Sequence, residues 1–159
     1  MELLKKFEEV FEPDERNRNR LDINHSTGDV TPTTVESIYV VVENIRLNDN
    51  VPEDVRSQFN VARNLALYAW FVYSFNEIAA RQALAALEMS VRIRTGDDKT
   101  AFKNLLDKLF PAQQLAPDLS LAKAASAIRN TLAHGSAMIT GQGLGIVRWC
   151  AELINELFP

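Results

Sequence analysis

The stretch NEIAARQALAALEMSVRIR, residues 76–94, decides the fold of this chain. Drawn as an α-helix, it is apolar around most of its circumference, and alanines fill many of the apolar positions. A helix of this kind belongs in the centre of a protein, and its alanines let neighbouring backbones come close. Gly96 and Asp97 follow directly and predict its end. The sequence therefore predicts a central helix around which the rest of the chain is arranged.

Helical signals continue on both sides of this segment. Pro52, followed by two acidic residues, predicts a helix start, and the apolar positions after it recur every three or four residues as far as Tyr73. Further amphipathic helices are predicted at residues 101–110, 119–133 and 146–157. Three glycines are assigned to the turn before the last helix: Gly141, Gly143 and Gly145. We predict an all-α fold.

The first fifty residues give weaker signals. We assign residues 1–50 to an N-terminal extension that is packed on or flanks a helical domain of residues 51–159. Residues 1–11 have apolar side chains at helical spacing and predict a short amphipathic helix, whereas residues 12–29 predict a loop or mobile arm. The arginines of that arm could contact RNA phosphates or could simply be solvated: Arg16, Arg18 and Arg20.

A further helix is predicted at residues 33–47. Thr33 and Glu36 have the spacing of a capping box, and apolar residues follow near helical period. The β-branched and aromatic run at residues 38–42 is also compatible with a strand. Both secondary structures remain open for this segment, and helix is our prediction.

Composition restricts the class of protein. The chain has 159 residues, of which 47% are hydrophobic, so it can fill one core. The formal net charge of −4 means that any phosphate contact must be local. Cys150 is the single cysteine, which excludes an intrachain disulfide, and no Cys/His cluster has zinc-ligand spacing. Without a signal-peptide core or a run of about 18 apolar residues, we expect a cytoplasmic protein that does not enter membranes.

One short motif carries chemistry. It places a fixed cation, an amide and a titratable imidazole near one helix end, where the dipole favours a protonated imidazole. An imidazole with an unperturbed pKa of about 6.5 can transfer protons near neutral pH, and arginine binds phosphate through a planar fork. Metal-free RNA cleavage needs a base, an acid and a cation of these kinds. The motif reads Arg129, Asn130, Thr131, Leu132, Ala133 and His134.

The spacing of the motif bears on oligomeric state. On one helix, Arg129 and His134 point about 140° apart, whereas Asn130 and His134 share a face. A single chain also supplies only one motif histidine, although cleavage calls for both an acid and a base. Two chains that meet across a two-fold axis would bring two arginines and two histidines into one groove. We therefore expect a homodimer.

The arginine, polar residue and histidine, Arg129, Asn130 and His134, resemble the motif of the HEPN (higher eukaryotes and prokaryotes nucleotide-binding) superfamily. The likeness covers roughly residues 51–158, including the alanine-rich central helix and the helix that follows the motif. The resemblance implies an antiparallel helical bundle and a metal-independent endoribonuclease without a cofactor, with Arg129 and His134 catalytic at a dimer interface. It also implies RNA rather than DNA as substrate, a toxin or phage-defence role, and an antitoxin protein as a partner.

Plainer interpretations of the same residues stay open. Arg129 and Asn130 could be ordinary surface residues of a last helical turn, with His134 as a C-terminal cap. On the central helix, Glu88 and Arg92 belong to a charged seam that could be a simple salt-bridged face, or Glu88 could orient the motif residues as a supporting side chain. Two functions follow: an endoribonuclease, or a non-catalytic HEPN-like module for dimerisation or for binding a nucleotide or RNA.

Overall fold

The computed structural model describes residues 4–24, 26–111, 114–116, 119–133 and 143–159, and these are mainly helical. The helices are α1 (Val35–Asn44), α2 (Glu53–Tyr68), α3 (Phe75–Thr95), α4 (Phe102–Leu109), α5 (Leu121–Ala133) and α6 (Gly143–Leu157). Two small antiparallel hairpins pair β1 (Leu21–Ile23) with β2 (Val30–Pro32), and β3 (Gln114–Ala116) with β4 (Leu119–Ser120). The predominantly helical prediction is confirmed, whereas the short strands were not predicted.

Helix α3 lies at the centre, as predicted, and contacts α2, α4, α5 and α6. Ala79, Ala83 and Ala86 are fully buried along it, which lets the neighbouring helices approach closely. Gly96 ends the helix in the left-handed conformation, with φ of +65°, and its N–H donates to the Arg92 carbonyl. The local stop signal therefore works as predicted.

Two predicted boundaries differ from the observed ones. Helix α1 is helical rather than extended, but its N-cap is Thr34, whose hydroxyl accepts from the Ser37 N–H, and not Thr33. Ile38 and Val42, one helical turn apart, are buried, whereas Val40 between them is exposed. In a strand all three would share one face, so this burial pattern fits a helix. Helix α2 ends at Tyr68, so the apolar repeat as far as Tyr73 extends beyond the helix into the following turn.

The predictions for the N-terminal segment were partly wrong. In place of an amphipathic helix, the described part has a 3₁₀ turn at Phe7–Glu9, and the side chains of Phe7 and Phe11 are exposed. Apolar residues at helical spacing stabilise a helix only when they pack against another part of the protein, because a short isolated helix is marginal in water. Strand β1, within the segment predicted as loop, pairs with β2, which lies just after that segment. The hairpin is joined to the start of α1 because both Thr33 and Ser37 donate to the Asp22 carboxylate.

The prediction that the glycines before the last helix form a turn was wrong for two of them. Gly143 and Gly145 lie inside α6, and Gly143 is buried. Gly141 lies outside the described residues. So does Gly135, whose position after residues 119–133 predicts a left-handed end to that helix. Helix α6 buries Val147, Cys150 and Ile154 against the core, and this burial raises the pKa of the Cys150 thiol, which stays protonated.

Asp14 fastens the N-terminal segment to the turn between α2 and α3. Its carboxylate accepts from Arg16 Nε at 2.8 Å and from the Tyr73 N–H at 3.2 Å, while its own N–H donates to the Trp70 carbonyl. The Arg16 guanidinium also lies 4.4 Å from the centre of the Tyr73 ring. Arg16 is thus part of the fold and not a free arm residue.

The Asp14 contacts predict a pH-dependent stability. The hydrogen bond from the Arg16 side chain, opposed by burial, lowers the pKa of Asp14 to about 2. Because the folded pKa lies below the unfolded value, Asp14 stabilises the protein above about pH 4, and this stabilisation is lost as the pH falls towards 2. We expect Asp14→Asn to lower the free energy of unfolding by about 2 kcal/mol at pH 6. Urea titrations should show this difference shrinking below pH 4; a difference independent of pH would contradict the prediction.

Candidate functional site

The motif arginine is held by the central helix. On α5, the Nε atom of Arg129 lies 3.1 Å from Oε2 of Glu88 on α3. The second oxygen of that carboxylate, Oε1, accepts from Arg92 Nη2 at 2.7 Å. Glu88 is mostly buried, with 18% of its side chain exposed, whereas Arg129 is 49% exposed. One carboxylate therefore bridges two arginines and holds the more exposed one at the surface.

Arg92 is the more buried of the two arginines that Glu88 holds. Besides Glu88, its Nη1 approaches the carbonyls of Asp97 and Thr100 in the turn after α3. The Glu77–Arg81 ion pair repeats the four-residue pattern nearer the start of α3. The predicted seam of charged side chains along α3 is confirmed, since both pairs are in contact. Of the alternatives left open for this seam, the structure shows Glu88 in contact with Arg129 on the motif helix, and a supporting role for Glu88 in chemistry stays a prediction.

A groove lies beside this ion-pair triad. Arg81, Leu84, Arg129 and Leu132 line a depression of about 340 Å³. A second depression of about 660 Å³ extends along α3 past Arg92. Ala85 and Glu88 line both, so the two depressions adjoin at the carboxylate that holds Arg129. A polyanion that lay in this groove would meet several arginine side chains at one helix face.

The other motif residues are placed differently. Asn130 is exposed on α5, one residue and about 100° around the helix from Arg129, and it belongs to neither depression. His134 follows Ala133 in the sequence and lies outside the described residues, as does His25. The structure therefore brings Glu88 to Arg129, and the geometry of the arginine–histidine pair stays a prediction.

Sequence reasoning missed a second cationic cluster, which lies between α1 and α2. It consists of Arg46, Arg56 and Arg63, which line a separate groove. The available signal was the seven-residue spacing of Arg56 and Arg63, which places both on one face of α2. Their meeting with Arg46 depends on how two helices pack, and helical spacing does not give that information.

Comparison of the chain with protein-family profiles, with curated proteins and with solved structures finds no match. Within the described ranges, no helix is both long and apolar enough to cross a membrane. The described residues also contain no group of three His, Cys, Asp or Glu side chains placed to hold a metal ion. The site must therefore be judged on its own geometry.

The Glu88–Arg129 pair predicts a measurable coupling. Replacing Glu88 and Arg129 by glutamine, singly and together, should give a coupling energy of about 0.5–1 kcal/mol in urea unfolding, because the carboxylate is mostly buried but the guanidinium is half exposed. The matched control is the cycle between Glu77 and Arg129, since Glu77 is paired with Arg81. That control cycle should show no coupling. Equal coupling energies in the two cycles would contradict the bridging role of Glu88.

Proposed function

We propose that this protein is a metal-independent endoribonuclease of HEPN type, acting in a toxin or phage-defence role. Arg129 and His134 are the proposed catalytic pair, with Asn130 and Glu88 in support. The observation that supports this most is the ion pair of 3.1 Å between Arg129 and Glu88. A solvated helix arginine needs no mostly buried carboxylate on another helix, whereas an arginine that must meet a phosphate benefits from being held in place.

The proposed reaction follows from the chemistry of the two side chains. A neutral imidazole removes the proton from a ribose 2′-hydroxyl, and the 2′-oxygen attacks the adjacent phosphorus. The bond to the 5′-oxygen of the next nucleotide breaks, and an imidazolium donates the proton that this oxygen needs. The Arg129 guanidinium stabilises the negative charge that develops on the phosphoryl oxygens. The products are a 2′,3′-cyclic phosphate and a 5′-hydroxyl.

This proton balance supports a homodimer. A single imidazole cannot be the base and the acid of the same step, and the chain has one histidine in the motif. A second copy would supply the other His134 and a second Arg129. RNA is the proposed substrate, and an antitoxin protein is a proposed partner in the cytoplasm.

Glu88 has a defined part in this proposal. A carboxylate that contacts Nε fixes the plane of the guanidinium, so that its fork is oriented before a phosphate arrives. The same carboxylate also offsets part of the positive charge. That second effect favours an alternative function, in which the groups bind RNA or a nucleotide, or stabilise a dimer, without turnover.

The function is tested by incubating the purified protein with total RNA and with tRNA in excess chelator. We expect RNA fragments that accumulate with time and with protein concentration. The alternative predicts saturable binding of labelled tRNA with the RNA left intact. Intact RNA at every protein concentration would therefore contradict the nuclease and favour the binding module.

A further inference from the structure

A second groove lies between α1 and α2, away from the motif. It has a volume of about 530 Å³ and shares no lining residue with the depressions beside Arg129. Polar and apolar side chains line it together. The lining includes Tyr39, Glu43, Arg46, Arg56, Asn60, Asn64 and Leu67.

Arg63 fixes how the two helices face each other. Its guanidinium donates to the carbonyls of Val42 and Glu43 at 3.2–3.3 Å, and to Asn60 Oδ1 at 2.8 Å. These bonds satisfy the carbonyls at the end of α1 and place that end beside the middle of α2. Arg63 is therefore a structural residue that frames the groove.

The way α1 packs against α2 gives the groove two chemically different ends. Arg46, beyond the C-terminus of α1, and Arg56, in the first turns of α2, form a cationic end. The apolar end is formed by Tyr39, about two turns before Arg46, and by Leu67, about three turns after Arg56. Tyr39 is 51% exposed. The exposed amide side chains of α2 lie between the two ends.

Arg56 has hydrogen-bonding capacity that the fold does not use. The Nε atom of Arg56 is the one buried side-chain nitrogen or oxygen atom in the described residues that has no hydrogen-bond partner. Its Nη1 lies 3.7 Å from a carboxylate oxygen of Asp49, whose side chain is fully exposed, so this ion pair is weak. A buried donor that lacks an acceptor is costly, and an oxygen atom from a ligand would satisfy it.

Arg46 adds a second cation that an anion can reach. Its side chain is 68% exposed, and its nearest carboxylate contact is 3.4 Å from Glu43. In a protein of net charge −4, an anion site needs positive charge that is concentrated locally, and a donor without an acceptor strengthens such a site. This end of the groove meets both conditions.

We propose that the groove binds a free nucleotide, with its phosphates at Arg46 and Arg56 and its base against Tyr39 and Leu67. Arginine forks suit phosphate oxygens, an aromatic ring suits a base face, and the amides of Asn60 and Asn64 can hydrogen-bond to base edges. A volume of about 530 Å³ falls within the range of small-molecule sites. This site is separate from the proposed nuclease motif and does not depend on it.

Isothermal titration in magnesium-free buffer tests the proposal with four probes: ATP, tripolyphosphate, adenosine and pentaadenylate RNA. We expect one ATP per chain, bound more tightly than any of the other three. Arg56→Gln should weaken ATP binding by about tenfold or more. Tyr39→Ala should weaken ATP binding but leave tripolyphosphate unchanged. Arg148→Gln, which removes an exposed arginine of α6, is the matched control and should leave ATP affinity unchanged.

Several results would overturn the assignment. ATP binding that does not saturate, or that is as tight in Arg56→Gln as in the wild type, would contradict the binding of phosphates at Arg46 and Arg56. Tripolyphosphate that binds as tightly as ATP would remove the base-binding end. Pentaadenylate that binds more tightly than ATP would assign the groove to an RNA chain rather than a free nucleotide. Urea unfolding of each variant is the control for the fold: a variant that unfolds at the wild-type urea concentration has lost the contact with ATP and not the structure of the groove.

Discussion

Arg129→Ala and His134→Ala should each reduce the rate of metal-free RNA cleavage by about two to three orders of magnitude. Loss of Arg129 removes the cation that stabilises charge on the phosphoryl oxygens, and loss of His134 removes the proton-transfer group. Arg129→Ala should not unfold the protein, because the Arg129 side chain is half exposed and its ion pair with Glu88 contributes little to stability. The measurement is the initial cleavage rate of labelled tRNA in excess chelator.

The chain offers a matched control for each change. His25→Ala removes the only other histidine, and Arg148→Ala removes an arginine that is exposed on α6. Both control variants should cleave at the wild-type rate. A folded His134→Ala protein that retains full activity would contradict the catalytic assignment. Equal losses in the variant and control of either pair would show that the effect is not specific to the motif.

Gly143→Ala should lower the free energy of unfolding by about 3 kcal/mol. A Cβ atom at this position would lie 2.8 Å from Asn76 Cα and 2.7 Å from its carbonyl carbon, and closer still to the carbonyl oxygen. The obstacle is backbone at the start of α3, so it cannot rotate away as a side chain could. Helix α6 would have to move off the central helix, which it contacts extensively. Urea unfolding measures the loss.

Gly145→Ala provides the control within the same helix. No atom lies within 4 Å of the Cβ position at Gly145, so alanine fits without displacement. Because alanine has the higher helix propensity, Gly145→Ala should stabilise the protein by about 0.5–1 kcal/mol. Similar effects of the two substitutions would contradict the close approach of α6 to Asn76.

Local pattern was sufficient for the central features of the fold. The apolar circumference of α3 predicted its central position, and Gly96 predicted its end, because both features depend on neighbouring residues in the sequence. The structure shows Gly96 in the left-handed conformation. The contact between Glu88 and Arg129 was also within reach, since a helical projection placed Glu88 on a charged face. What the projection could not give was the distance, which depends on how α5 packs against α3.

The failures have a common physical origin in contacts between segments distant in sequence. Gly143 resembles a turn residue by composition, yet it is required because the backbone of Asn76 passes close by. The apolar spacing in residues 1–11 predicts a helix, but the described part of that segment leaves Phe7 and Phe11 exposed, with no distant segment of the described residues packed on them. The groove at Arg56 was missed for the same reason, because it exists only where α1 and α2 meet.

The most direct test of the proposed nuclease is to identify the chemical ends of RNA fragments formed by the wild-type protein in excess chelator. Attack by the 2′-oxygen predicts fragments with a 2′,3′-cyclic phosphate at one end and a 5′-hydroxyl at the other. These ends should disappear in Arg129→Ala and His134→Ala. Fragments that carry a 3′-hydroxyl and a 5′-phosphate, or RNA that stays intact, would contradict the proposed function.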